Sequence, residues 1–268
     1  MLKKAFALGA VLLAGCQSVD TTQPGVVGVE RKQNMMVSSN AINNSAEGSY
    51  RKIMAQAAGK GQLNRDPAQL ERIRRIAQRL IAQTGAFRAD APGWHWEVNV
   101  LTSKEINAWC MPGGKIAVYT GLIERLQATD DELAAVMGHE IAHALREHGR
   151  ERASQAMAQG IGIGVVGAVL GLRGGSQDLA QVVLDLTFNL PNSRVDETEA
   201  DQIGVELAAR AAFDPRAAVS LWEKMQRESK SQPPQFLSTH PSHAARIAEL
   251  QVDAAKVMPL YEAARAKR

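Results

Sequence analysis

Hydrophobic side chains recur every three or four residues over much of this chain, which is the spacing of helices with one buried face. The first clear case is the segment 67–84, which opens with a proline, a residue that suits the first turn of a helix. Its hydrophobic positions are Leu70, Ile73, Ile76, Ala77, Leu80 and Ile81. After Gly121 almost the whole sequence has helical spacing, so we predict a mainly helical protein.

One short region follows the two-residue period of a β-strand instead. In residues 94–101 the larger hydrophobic side chains alternate with polar ones, and His95 falls on the polar side, where we expect it to be exposed. Residues 115–120 form a second strand, and the Pro-Gly-Gly at 112–114 before it is typical of a turn. We therefore expect the two strands to pair as a hairpin, and we predict an α+β fold, mainly α, with one small sheet.

The composition is that of a globular protein rather than a disordered or disulfide-stabilised one. Hydrophobic residues make up 45% of the 268 residues and aromatic residues only 4%, which leaves aliphatic side chains to build the core. The net charge is +3, and Lys3 and Lys4 lie in a segment that we expect to be removed. The remaining charge of about +1 gives no reason to expect nucleic-acid binding.

The first 16 residues have the pattern of a secretory signal. Two lysines precede about ten apolar residues, too few to span a bilayer. Residues 13–16 (Leu-Ala-Gly-Cys) resemble a bacterial lipobox, which implies removal of residues 1–15 and lipidation of Cys16, as by palmitate. The next two residues are glutamine and serine, not the aspartate associated with retention in the inner membrane. The resemblance therefore implies anchoring in the outer membrane, on its periplasmic face.

The segment after the lipobox is polar. Residues 16–48 are rich in small polar side chains without a sustained period, so we predict a lipidated N-terminus and tether that also covers part of the domain. The domain itself is predicted to comprise residues 49–268. If Cys16 is lipidated, Cys110 has no partner for a disulfide, and we expect it to be a small buried hydrophobic residue.

One predicted helix carries the clearest chemistry. Thr129 and Glu132 have the spacing of a capping box, which fixes the start of a helix. One turn separates His139 from His143 on that helix, so both imidazoles can bind one Zn²⁺ ion. Glu140 lies beside the position of the metal, where its carboxylate can take the proton of a water whose pKa the metal has lowered.

The same helix is predicted to be buried, because hydrophobic residues cover most of its circumference. These are Leu133, Met137, Ile141, Ala144 and Leu145. Burying two histidines and a glutamate is unfavourable unless they are paired or bind a metal, and the alternative to a metal site is a pair of hydrogen-bonded core histidines. We expect the helix to run to about Arg150, so that His148 points away from the metal and contributes only to the helix end.

A catalytic zinc keeps three protein ligands and one open position, and we predict the third ligand on a helix over residues 194–212. Two glutamates compete there. Glu197 shares its face with small and apolar residues, whereas Glu199 shares its face with charged and amide side chains and is expected to be solvated. Helical phase therefore selects Glu197. Asp201 follows one turn later on the same face, where it can hydrogen-bond a ligand imidazole.

These motifs together resemble the HtpX/CAAX-prenyl-protease family of zinc metallopeptidases, and specifically its periplasmic lipoprotein branch. The resemblance spans roughly residues 105–250 and includes several shorter motifs. They are Asn107-Ala108 with Pro112-Gly113-Gly114, Gly121-Leu122, Ser193-Arg194, and His240-Pro241 with Arg246. The resemblance implies a gluzincin with one zinc ion held by His139, His143 and Glu197, and with Glu140 as the general base. It also implies that the strand near Pro-Gly-Gly borders the active-site cleft.

The residues around this predicted site leave several roles open. His240 precedes a proline at a helix start that can face the cleft, where it could stabilise the oxyanion or occupy the fourth position of the zinc in a closed resting state. Arg246 is a further candidate beside the site, and otherwise a salt-bridge partner. Residues 160–172 contain glycine at five positions and no charge, and we predict a buried hairpin or a mobile lid there.

The function that follows is a zinc endopeptidase tethered to the outer membrane. By resemblance, it hydrolyses unfolded or misassembled envelope proteins as periplasmic quality control, with any envelope partner unknown. The alternative is a zinc-stabilised chaperone-like or binding lipoprotein with little turnover, which has no need of Glu140. A third interpretation is a structural lipoprotein without metal, which stoichiometric zinc in the purified protein would exclude.

Overall fold

The computed structural model describes residues 17–158, 175–229 and 234–267. Two features predicted above lie outside these residues: Cys16 with the signal before it, and the glycine-rich segment 160–172. Helices dominate the described residues, and their largest sheet has three strands, so the predicted α+β, mainly α fold is confirmed. None of the described helices combines the length and the hydrophobicity that crossing a bilayer requires.

The described elements follow one another with short connections. The first are β1 (Gln17–Val19), β2 (Gln33–Met35), α1 (Ser39–Gly59) and α2 (Pro67–Ile81). Two single 3₁₀ turns, Thr84–Ala86 and Ala91–Gly93, lead to the sheet strands β3 (Glu97–Leu101), β4 (Ala108–Met111) and β5 (Lys115–Tyr119). The helices after the sheet are α3 (Thr120–Arg125), α4 (Asp130–Leu145), α5 (His148–Ala158), α6 (Gly175–Phe188), α7 (Arg194–Arg210), α8 (Ala217–Ser229), α9 (Phe236–Thr239) and α10 (Arg246–Arg265).

Helices α4 and α7 pack together at the centre of the fold with almost no space between their backbones. A Cβ atom on Gly138 would lie 2.8 Å from the carbonyl oxygen of Gly204, and one on Gly204 would lie 2.7 Å from the backbone nitrogen of His139. A side chain at either glycine would therefore push the helices apart. Because Gly138 precedes His139, this close crossing brings the two predicted halves of the metal site together.

Both central helices begin at capping boxes. Thr129 and Glu132 exchange side-chain and backbone hydrogen bonds at the start of α4, which confirms the predicted helix start. Ser193 and Asp196 make the same reciprocal pair at the start of α7. The second box fixes the first turn of α7, so the position of Glu197 on the helix is set locally.

The small sheet differs from the predicted hairpin in its pairing. Its strand order is β3-β5-β4, with β3 parallel to β5 and β4 antiparallel to β5. The hairpin partner of β5 is therefore Ala108–Met111 and not the segment 94–101. The turn explains this, because Gly113 and Gly114 both have positive φ angles, 80° and 82°, and reverse the chain directly after β4. Strand β4 thus lies at an edge of the sheet, where it packs against α4.

Side chains from the two faces of the sheet enter two hydrophobic clusters. Val100, Ile116 and Val118 belong to the main core, which also contains the buried faces of α2, α4 and α7. On the opposite face Trp109 and Met111 join a second cluster with α1 and α6. The strand that borders the metal site is therefore held from both sides.

The segment predicted as a tether lies against the domain where the structure describes it. Strands β1 and β2 form an antiparallel pair, and β2 packs on α5. The buried hydrophobic residues of this segment are Val27, Val29, Met35, Val37, Ile42 and Ala46. Helix α1 then runs across the predicted boundary at residue 49. These apolar side chains hold an otherwise polar segment against the domain, so residues 18–48 cover part of it.

Candidate metal centre

Four buried side chains converge where α4 and α7 cross. His139 and His143 come from α4, Glu197 from α7 and His240 from the end of α9, and their ligating atoms all lie within 4.8 Å of one another. Nε2 of His139 lies 3.1 Å from Nε2 of His143. Oxygens of Glu197 lie 3.5 Å and 3.3 Å from these two nitrogens. Ligands bound at 2.0–2.1 Å around a tetrahedral zinc are about 3.3 Å apart, so these residues fit a zinc ion.

The charges in this cluster also fit a cation. Burial lowers the pKa of His139, but the negative charges of Glu197 and Asp201 outweigh burial and raise the pKa to about 9. Burial lowers the pKa of His143 well below its usual range. For Glu197 burial raises the pKa, but His240 and His139 hold it well below its usual range. The centre therefore contains an ionised carboxylate beside imidazole nitrogens, a set of donors that suits a divalent cation.

Asp201 lies behind His139, as the helical phase predicts. Nδ1 of His139 donates a hydrogen bond to Oδ1 of Asp201 at 2.9 Å. Burial raises the pKa of Asp201, but the positive charge of Arg246 more than offsets it, so the carboxylate stays ionised and acts as acceptor. When a metal replaces the proton on Nε2, the bond to Asp201 keeps the other proton on Nδ1, which is the tautomer that a metal ligand needs.

Arg246 binds both carboxylates of the site at once. Its Nη1 donates to Oε2 of Glu197 at 2.8 Å, and its Nε and Nη2 donate to the two oxygens of Asp201 at 2.7 Å and 2.8 Å. The side chain is 0% exposed, and its guanidinium lies 3.6 Å from the ring centre of Trp222. Of the two roles left open for Arg246, the geometry shows the salt-bridge partner, which orients one ligand directly and a second through Asp201.

Glu140 is buried and lines the cleft beside the cluster. Burial raises the pKa of its carboxyl, against the charges of His240 and His139. Its Oε1 lies 3.2 Å from Nε2 of His240 but accepts no hydrogen bond within the described part of the chain. A buried carboxylate oxygen without a hydrogen bond is unfavourable. This atom is therefore placed to accept a hydrogen bond from a water or a substrate.

The ring of His240 lies between the other ligands and Glu140. Its Nδ1 is 3.2 Å from Nε2 of His139 and 2.9 Å from Oε1 of Glu197, and the ring stacks on Phe236. The cleft next to it has a volume of about 60 Å³, which holds a few water molecules but not a peptide. Of the two roles left open for His240, this conformation matches the closed resting state.

Asn192 joins His240 to the loop before α7, and no pattern in the sequence singles it out. Its Nδ2 donates to Oε1 of Glu197 at 2.9 Å and lies 3.3 Å from Nδ1 of His240. Its backbone nitrogen donates to the carbonyl oxygen of Thr239 at 2.9 Å. Asn192 thus touches both a predicted ligand and the residue that covers the site.

The predictions for His148 and Glu199 were wrong, because both residues are buried behind His143. Helix α4 ends at Leu145, earlier than predicted, and Glu147 takes a positive φ of 51° that turns the chain back into α5. Nδ1 of His148 then lies 2.8 Å from Nδ1 of His143, and Nε2 of His148 lies 3.1 Å from Oε2 of Glu199. The face of α7 that carries Glu199 is not solvated, because the N-terminal segment covers it.

Cys110 lies on β4 at the border of the cleft. Its side chain is half-buried, and burial together with the charge of Glu140 raises the pKa of its thiol well above the usual value. A thiol with a raised pKa is a poor nucleophile. Glu140 and the predicted metal ligands therefore remain the candidates for chemistry in the cleft. His95 is exposed, as predicted.

The chain is similar to known peptidases over most of its length. The profile of peptidase family M48 matches residues 67–254. The mitochondrial metalloendopeptidase OMA1 of Schizosaccharomyces pombe is 33% identical over 208 residues, which cover 77% of this chain and 59% of that protein. The mitochondrial metalloendopeptidase OMA1 of Homo sapiens is 35% identical over 173 residues, which cover 59% of this chain and 33% of that protein. The beta-barrel assembly-enhancing protease of Escherichia coli is 28% identical over 216 residues, which cover 76% of this chain and 43% of that protein. The chain therefore matches less than two thirds of the length of each of these relatives.

Proposed function

The chain belongs to peptidase family M48, and we propose that it is a zinc endopeptidase. One arrangement carries the proposal. His139, His143 and Glu197 place ligating atoms at distances that suit a tetrahedral zinc, and beside them Glu140 has a carboxylate oxygen that accepts no hydrogen bond from the described residues. A site that only stored or bound zinc would have no need of that carboxylate.

The residues of the site divide the chemistry among them. Zinc held by His139, His143 and Glu197 would polarise the scissile carbonyl and lower the pKa of water. Glu140 takes the proton of the attacking water as general base and passes it to the nitrogen of the leaving amine. Burial supports this role, because it raises the pKa of Glu140 toward the value that a base needs near neutral pH.

The edge of the sheet offers an extended substrate a place to bind. Strand β4 pairs with β5 on one side and with no second strand among the described residues. Cys110 and Pro112 line the cleft together with Glu140. A peptide added to this edge would bind through main-chain hydrogen bonds, which are available in unfolded segments and not in folded proteins.

The substrate class follows from this edge and from the predicted address of the chain. Main-chain recognition favours unfolded or misassembled proteins, and a secretory signal would deliver the enzyme to the cell envelope. The similarity to a bacterial protein named beta-barrel assembly-enhancing protease supports the envelope as the place of action. We infer that the protein removes unfolded or misassembled envelope proteins, as periplasmic quality control.

Zinc content and proteolysis test the proposed function together. A soluble chain that starts after Cys16 should contain about one zinc per molecule and should degrade an unfolded protein such as casein. Degradation should stop when the zinc is removed with a chelator and return when zinc is restored. A protein purified without zinc, or one that degrades casein equally well after complete chelation, would refute the proposal.

The position of His240 supports a second candidate function. A fourth protein ligand is typical of structural zinc sites, which stabilise a fold and catalyse nothing. If His240 closes the site permanently, the protein is a zinc-stabilised binding or chaperone-like lipoprotein. Zinc near one per chain without any proteolysis, in the wild type and in a variant without His240, would favour this second function.

Replacing His240 with alanine should raise casein degradation several-fold while zinc stays near one per chain. The imidazole that fills the space beside Glu140 is removed, and three ligands remain. The matched control is His243→Ala, because His243 is a nearby histidine that pairs with Glu249 outside the cluster. Loss of activity with retained zinc in the His240 variant, but not in the control, would instead assign the oxyanion role to His240.

We propose that the protein is anchored in the outer membrane through a lipidated Cys16 and faces the periplasm. The support is the lipobox-like sequence 13–16. The variant Cys16→Ser should lose the lipid and move from the membrane fraction to the soluble fraction, since acyl chains supply the binding energy. Cys110→Ser is the matched control and should stay in the membrane fraction. A Cys16→Ser protein that remains membrane-bound would contradict this account of the N-terminus.

A further inference from the structure

A chain of buried hydrogen bonds leads away from the metal centre on the far side of His143. Nδ1 of His143 lies 2.8 Å from Nδ1 of His148. Nε2 of His148 lies 3.1 Å from Oε2 of Glu199. His148 is 1% exposed and Glu199 5% exposed, so water does not compete with these contacts. The orientation of His143 therefore depends on residues that never touch the metal.

The carboxylate of Glu199, at the end of this hydrogen-bond chain, determines which ring nitrogens of His148 and His143 carry protons. Guanidinium nitrogens of Arg31 and Arg146 donate three hydrogen bonds to Glu199, which makes it an ionised acceptor toward His148. The ionised Glu199 accepts from Nε2–H of His148, which leaves a lone pair on Nδ1 of His148. That lone pair accepts from Nδ1–H of His143, so the lone pair of Nε2 in His143 is directed into the cluster. Asp201 orients His139 directly by accepting a hydrogen bond from its Nδ1. Glu199 orients His143 in the same way, but through the imidazole of His148.

Arg31 connects this carboxylate to the N-terminal segment. Its Nε and Nη2 donate to the two oxygens of Glu199 at 2.6 Å and 3.1 Å. Its Nη1 and Nη2 also donate to the two oxygens of Glu151 at 2.6 Å and 2.9 Å. Arg146 completes the group, because its Nε donates to Oε2 of Glu199 and its Nη2 donates to the backbone carbonyl of Arg31, each at 2.9 Å. The planar guanidinium thus fixes two carboxylates on different helices at once.

The segment that carries Arg31 is itself fixed to α7. The backbone nitrogen of Val27 donates to the buried Oε2 of Glu206 at 2.9 Å. Gly25 has a φ of 63°, and a Cβ atom there would lie 2.6 Å from that same oxygen, so the turn sits directly on the glutamate. On the other side of Arg31, Gln33 donates to Glu151 at 2.6 Å and to the carbonyl of Arg146 at 2.8 Å. Arg31 is therefore held in place from both directions along the chain.

We propose that Arg31 is a positioning residue for the metal ligand His143, acting through Glu199 and His148. The inference rests on the proposed zinc site. If Arg31 has this role, the segment 18–38 is a functional part of the metal centre. The same segment joins the domain to the predicted lipid anchor. Without Arg31, Glu199 keeps Arg146 and His148 as its hydrogen-bond partners among the described residues, and the imidazole of His148 is less firmly held toward His143.

Zinc affinity measures this role directly. We would titrate the folded chain that starts after Cys16 with zinc against a chromophoric chelator. The variant Arg31→Ala should bind zinc about 10-fold more weakly, at the lower end of the 10–100-fold effect of residues behind metal ligands, because two residues separate it from His143. The zinc affinity of Arg31→Lys should lie between those of Arg31→Ala and the wild type, because lysine restores the charge but cannot bridge both carboxylates. The lysine variant also provides the test if the alanine variant does not fold.

Two control variants separate positioning from general stability. Lys32→Ala changes the exposed neighbour and should leave zinc affinity unchanged. Val29→Ala removes buried side-chain volume from the same segment and should lower Tm without weakening zinc binding. A double-mutant cycle completes the design: in a His148→Ala background, adding Arg31→Ala should cause little further loss of zinc affinity, because the path to His143 is already cut.

The outcomes separate this inference from the proposed function. Arg31→Ala with wild-type zinc affinity would overturn the role of Arg31 and leave the zinc site standing. An equal loss of zinc affinity in Val29→Ala, or full additivity with His148→Ala, would also overturn it, because the effect would then be one of stability or would bypass His148. A wild-type chain that binds no zinc would refute the proposed function itself, and the positioning role with it.

Discussion

Replacing Glu140 with glutamine should reduce peptide-bond cleavage by about 10²–10⁴-fold, the contribution typical of a general base. Glutamine has nearly the same shape but cannot take a proton from water. Zinc should stay near one per chain, because His139, His143 and Glu197 remain in place. The measurement pairs casein degradation with zinc analysis on the same preparation of the variant and the wild type.

The Glu140→Gln substitution should not destabilise the protein, which makes it a clean test. The carboxylate is buried, burial raises its pKa, and its Oε1 has no described hydrogen-bond partner. Replacing a buried charge with a neutral amide removes a desolvation cost, so Tm should be equal to that of the wild type or higher. A variant that keeps zinc, keeps its Tm and still degrades casein at the wild-type rate would exclude Glu140 as the base. The binding-protein alternative would then be the better account of the site.

The residues that converge at the candidate metal site could be predicted largely because helical phase is a local property. His139 and His143 are one turn apart on a helix whose start is marked by its own capping box, and Glu197 is separated from Glu199 by the character of its neighbours along α7. The predicted position of Asp201 behind an imidazole followed from the same periodicity. Each of these inferences needs only the sequence within one helix and the geometry of 3.6 residues per turn.

The errors came from contacts between distant parts of the chain. Glu199 lies on a face of α7 with polar neighbours, and it is buried because Arg31, which is 168 residues away in sequence, covers it. His148 was assigned to the wrong face because the helix was expected to continue, whereas Glu147 adopts a left-handed conformation that few residues other than glycine take. The sheet pairing likewise depends on which strand the two turn glycines join. None of these features leaves a periodic signal in the sequence.

Replacing Arg246 with alanine should destabilise the fold by about 3–5 kcal/mol, the usual effect of removing one partner from a buried ion pair. The carboxylates of Glu197 and Asp201 would remain buried, and the contact of the guanidinium with Trp222 would be lost as well. In a domain of this size the change corresponds to a fall in Tm on the order of 10 °C. Thermal unfolding of the metal-free proteins measures it without interference from zinc binding.

Arg194→Ala is the matched control for Arg246→Ala, because Arg194 pairs with Glu249 at 3.4 Å with its side chain 67% exposed. An exposed ion pair contributes little, so the control should keep its Tm nearly unchanged. The double variant Arg246→Ala with Asp201→Asn should recover part of the lost stability, because one of the two unpaired charges is removed. If the Tm of Arg246→Ala were no lower than that of Arg194→Ala, Arg246 would not be needed to stabilise the buried, ionised carboxylates of Glu197 and Asp201. The account of how Asp201 and Glu197 are held toward the metal would then have to be abandoned.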